Sequence, residues 1–64
     1  MIDDLILKNL SAKFNRELAK GDLGEAEKVV KRLEDLYQNH NHDSLGTMIY
    51  FTVRGMKALL KDRK

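Results

Sequence analysis

Residues 47–53, TMIYFTV, are the stretch on which the fold turns. β-Branched and aromatic residues crowd it, and Gly46 and Gly55 bracket it, which is a strand signal. The same residues also fit a helix, because Leu45, Met48, Ile49, Thr52, Met56, Leu59 and Leu60 fall on one broad helical face. A strand at 47–53 would find no second strand in the chain to satisfy its backbone groups. It could pair only across a dimer or on another protein's edge. The helical alternative is preferred, and it makes the chain all-α, a small three-helix bundle with helices at about 3–20, 22–38 and 44–62. The strand at 47–53 is the minority alternative.

Glycine, not proline, punctuates the rest, since the chain contains no proline. In Gly21-Asp22-Leu23-Gly24-Glu25, Gly21 suits a left-handed helix C-terminus, and Asp22 with Glu25 matches a D-x-x-E capping box. A helix stop and a helix start are therefore expected side by side. Before them, Leu7, Leu10, Phe14 and Leu18 are spaced three, four and four and line one helical face, with Ile2, Leu5 and Ile6 widening it. After them, Leu23, Ala26, Val30, Leu33 and Tyr37 repeat at three, four, three and four, the spacing of a packed seam, broadened by Val29 and Leu36.

Between the second and third apolar seams lies Asn39-His40-Asn41-His42-Asp43, which holds both histidines of the chain. These residue types bond nearby backbone and favour caps and turns. Asn39 or Asn41 can close the second helix, and Asp43 or Ser44 can cap the third. His40-x-His42 with Asp43 offers too few ligands for a structural metal site, which takes four in set geometry. Ser44 beside His42 and Asp43 makes no triad, because adjacent side chains point apart. The segment is read as punctuation, and no metal or cofactor is expected.

On the helical alternative Phe51 and Val53 fall outside the main stripe, so the third helix is apolar on more than one face. Such a helix lies between two others or against another subunit. Gly46 and Gly55 each cost about 1 kcal/mol inside a helix relative to alanine, which predicts close backbone approach at both. A second ridge of the same helix, Tyr50, Arg54, Lys57, Lys61 and Lys64, carries an aromatic and four cations at spacings of four, three, four and three. A solvated face that complements the helix dipole is the simplest account of it. A phosphate backbone or an acidic protein would also fit. With Phe51, these residues form the candidate partner-binding set.

The chain is one domain at most. Ordering 64 residues costs about 96 kcal/mol at about 1.5 per residue, and the apolar surface that such a chain buries, about 3,700 Å², returns about 93 kcal/mol. A domain so balanced draws on a disulfide, a metal or a partner, and with no cysteine the disulfide is excluded. Completion by homodimerisation is therefore expected. Two aspartates near the start, Asp3 and Asp4, do not fit a secretory leader, and the longest uncharged run, Ser44–Val53, is about half a membrane span, so a cytoplasmic protein without membrane contact is expected.

Charge is uneven along the chain. Residues 1–43 carry seven Lys/Arg against nine Asp/Glu, and residues 44–64 carry five against one. Catalysis is not expected: there is no cysteine nucleophile and no glycine-rich phosphate loop, the two serines lack a convergent base, and adjacent Glu34 and Asp35 diverge by about 100° on a helix. The function expected is a non-catalytic interaction or regulatory protein that binds and modulates another macromolecule, a protein first, as a helical dimer. The alternative is a small DNA- or RNA-binding regulator that uses the basic C-terminal helix. Its short helices, with a tight turn between the first two, resemble a helix-turn-helix arrangement by analogy of fold alone, and Asn39-His40-Asn41-His42 stands where the conventional turn would precede the reading helix, after a second helix longer than such motifs usually have.

Overall fold

The computed structural model describes residues 2–63, and three α-helices follow one another along them: α1 (Ile2–Lys20), α2 (Leu23–Gln38) and α3 (Ser44–Arg63). Among the described residues there is no strand, and TMIYFTV lies wholly inside α3. The helix ends fall within two residues of those expected.

Local chemistry sets those ends. Gly21 adopts φ +83°, where side chains are strained, and its N–H donates to the Leu18 carbonyl at 3.0 Å while Asp22 N–H donates to the Glu17 carbonyl at 2.9 Å. This is the paired Schellman closure of α1. Asp22 then accepts from Glu25 N–H at 3.1 Å and caps α2. The reciprocal half of the expected capping box is not made. Glu25 turns its carboxylate to Lys28 at 3.1 Å, because Asp22 N–H is already spent on closing α1.

At the other end Asn39 closes α2, and Asp43 caps α3, accepting from Gly46 N–H at 2.8 Å. Asp43 is thus the residue that caps α3 in place of the alternative Ser44.

α2 is the middle helix, packed along both α1 and α3, which touch each other only slightly. Its seam is buried as expected: Ala26, Val29, Val30 and Leu33 are enclosed, and Leu23, Leu36 and Tyr37 pack at the rim. Phe14 of α1, Val29 and Leu33 of α2 and Ile49 of α3 are the largest fully enclosed side chains. On α1, Leu7 and Leu18 join them and Leu10 packs partly, but Leu5 points away from the core. The side chain of Ile2 lies outside the described residues.

α3 corrects the expected face. Leu45, Ile49, Val53, Met56 and Leu60 are buried, so Val53 belongs to the core, whereas Met48 and Leu59 face outward. Spacings of four, four, three and four place that set squarely against α2. With apolar residues on two sides, α3 presents the side that interlocks with the α2 seam. The helix enclosed between two others is α2, not α3.

The molecule retains 4650 Å² of accessible surface, against about 4,200 Å² for a typical folded monomer of this mass. The excess goes with an elongated outline of 32 × 19 × 13 Å.

Candidate interaction surface

Outside its buried face α3 carries two different surfaces. On one flank Met48, Phe51, Gly55 and Leu59 fall within an arc of about 80° at 100° per residue. Phe51 is 59% exposed, Met48 58% and Leu59 45%, three of the large apolar side chains that the fold leaves in solvent. From Met48 to Leu59 this stripe includes no charge. Gly55 is exposed in the middle of it, and a Cβ added there would meet nothing within 4 Å.

The two glycines of α3 thus divide. Gly46 is buried, and a Cβ on it would overlap the His40 carbonyl oxygen and stand 2.6 Å from the carbonyl carbon. The approach expected at Gly46 is made within the chain. At Gly55 no part of the described chain approaches.

On the other flank stand the ridge residues. Tyr50 is half exposed and sits in an aromatic run, its ring centroid 6.3 Å from Tyr37 and 5.4 Å from Phe51, the latter edge to face. Arg54 and Lys61 are exposed. Lys57 reaches across to α2 and donates to Glu34 at 2.9 Å, and Lys57 and Lys61 line a shallow depression with Glu27 and Val30 of α2. Lys64 lies outside the described residues. Tyr50, Arg54, Lys57 and Lys61 thus stand along one side of α3, and α2 supplies acidic groups alongside them. Met48, Gly55 and Leu59 belong to the exposed surface although the sequence pattern assigns the two large ones to the core. Anchoring the α3 pattern on Ile49, Val53, Met56 and Leu60 would have turned them outward.

The histidine loop is also built. His40 Nδ1 lies 2.8 Å from an Asp43 carboxylate oxygen, and Nε2 lies 2.5 Å from an Asp3 carboxylate oxygen on α1. The imidazolium donates at both nitrogens and satisfies both acids, whereas a neutral ring can donate to only one. The hydrogen bond with Asp43 above all, and that with Asp3 next, hold the His40 pKa above its ordinary value. In return the Asp43 carboxyl is held below its ordinary range, first by His40 and then by Gly46 N–H. One ring thereby fastens the start of α1 to the cap of α3. His42, by contrast, is exposed.

Among the described residues no group of three or more His, Asp or Glu could hold a metal ion, and no helix is long and apolar enough to cross a membrane. No known protein family, curated protein or solved structure matches the chain.

Proposed function

We propose that the chain is a small non-catalytic interaction protein that works as a helical homodimer and binds and modulates another protein through α3. One observation carries this reading: α3 leaves three large apolar side chains, Met48, Phe51 and Leu59, about half exposed along one flank. The thin energetic margin of 64 residues without cysteine supports it.

Sedimentation velocity at micromolar concentration tests the reading. A dimer is expected for the unaltered chain and a folded monomer for Phe51→Asp, which puts a charge in the stripe without touching the core. A monomer in both cases contradicts it.

A second reading, a DNA- or RNA-binding regulator, draws on the run Tyr37, Tyr50, Phe51 beside Arg54 and Lys61, because aromatic faces next to cations stack and neutralise single strands. The pairing of Lys57 with Glu34 counts against it by taking charge out of the ridge. Gel-shift titration at 50 mM salt decides: binding that collapses as salt rises supports it, and no binding ends it.

A further inference from the structure

We propose that two copies of the chain join by crossing their α3 helices at Gly55, face to face, with Met48 and Phe51 of each copy lying beside the other copy's stripe. This rests on the reading of the chain as a self-associating interaction protein and names the contact point.

The first observation is the glycine itself. Gly55 sits in the interior of a twenty-residue helix and has no positive φ to justify it. Nothing lies within 4 Å of where its Cβ would be, so alanine would fit and would favour the helix. Gly46 shows the contrast, since there the missing side chain admits the His40 carbonyl. A helical glycine with no use inside its own chain is explained by a backbone that approaches from outside.

The second observation is the setting of that glycine. Met48 and Phe51 stand before it and Leu59 after it on the same flank, so the stripe forms a shallow saddle with its lowest point at Gly55. A second helix laid across a saddle touches it at the glycine and is gripped by the large side chains at either end. The same stripe on another copy has the matching shape, which is the condition for a two-fold contact in which one patch meets itself.

Charge and area favour a second copy over a charged partner. Between Met48 and Leu59 the stripe has no ionic group to complement, Asp62 enters the same arc only beyond Leu59, and the exposed Arg54 and Lys61 lie on the other flank. Side chains this size at about half exposure leave about 100 Å² each, so Met48, Phe51 and Leu59 with the small residues between them offer about 400 Å² per copy. A homodimer contact of about 800 Å² per partner, about 65% apolar, needs about 500 Å² of apolar surface from each. The stripe supplies most of that area.

Sedimentation equilibrium of the full chain, with Gly55→Ala and Gly55→Leu beside it, is the test, and circular dichroism of each variant monitors helix content. The expected result is a dimer whose dissociation constant rises at least tenfold in Gly55→Ala and further in Gly55→Leu, with helix content equal to or above that of the unaltered chain. Association should persist in 0.5 M sodium chloride, because no ion pair holds it. A dimer unaffected by either substitution overturns the crossing at Gly55 and leaves self-association standing. A dimer that dissociates in salt overturns the crossing as well, since it would mean a contact through the ridge. A chain that is monomeric at 100 μM overturns both.

Discussion

The carbonyl of His40 occupies the space that any side chain on Gly46 would need. The loop after α2 and the first turn of α3 are therefore in backbone contact, and the Asp43 carboxylate that accepts from Gly46 N–H also accepts from His40 Nδ1. Three groups within one loop fix where α3 begins. The fold depends on that loop more than its exposed, polar composition suggests.

Gly46→Ala is expected to destabilise the protein by about 3 kcal/mol, the upper end of the range of about 1–3 kcal/mol for overpacking, because backbone and not a flexible side chain must move. Urea unfolding followed by circular dichroism measures it. Gly55→Ala should act in the opposite direction on the isolated chain, raising stability by up to about 1 kcal/mol through helix propensity. Equal effects at the two glycines would show that the loop contact does not constrain α3.

His40 makes stability depend on pH with a definite sign. Its folded pKa is raised, so the stabilisation it provides is fully present below the unfolded value of about 6.5 and is lost as pH rises through the higher folded value. Asp43 has the opposite sign: its folded pKa is lowered, so its contribution is present above the unfolded carboxyl value and is lost as pH falls through the folded one. Urea midpoints should decline from pH 6 to pH 9, and His40→Gln should flatten the decline. A profile that rises over this range, or one that His40→Gln leaves unchanged, contradicts the two hydrogen bonds from His40 to Asp3 and Asp43.

The two capping aspartates should not be equivalent. Asp22→Ala removes one cap bond at an exposed site, with a cost of about 1 kcal/mol. Asp43→Ala removes the cap of α3 together with a partner of His40, so it should cost more. Thermal melts of the two variants side by side check the order.

Leu33 and Ile49 are fully enclosed where α2 meets α3. Truncating either to alanine costs about 2–5 kcal/mol, against a total of about 3–10 kcal/mol for a chain this long. Leu33→Ala is expected to lose most of its helical signal at 37 °C. Retention of the full signal would mean that the chain is far more stable than its size implies.

Helix limits were legible in the sequence because single residues set them. Gly21 needs a left-handed backbone, Asp22 and Asp43 offer carboxylates to free N–H groups, and Asn39 stands at the close of α2. The identity of TMIYFTV was legible by elimination, since a lone strand has no partner in the chain. The rotation of α3 was legible only in part: Leu45, Ile49, Met56 and Leu60 lie on the expected face, but Val53 replaces Met48 and Leu59 in the core, because apolar residues on two flanks leave the choice to α2. The bond from His40 to Asp3 was not legible, since it joins residues 37 apart with no periodic pattern to announce it. The pairing of Lys57 with Glu34 was hidden for the same reason, and it changes how much free charge the basic ridge presents.

On the proposed reading a second copy covers the apolar flank of α3. Thermal melting of the unaltered chain across a hundredfold range of concentration addresses it most directly, because a contact made only by folded molecules raises the midpoint as concentration rises. The midpoint is expected to climb with concentration in the unaltered chain and to stay fixed in Phe51→Asp. The same midpoint at every concentration for the unaltered chain, with a cooperative transition, would contradict it.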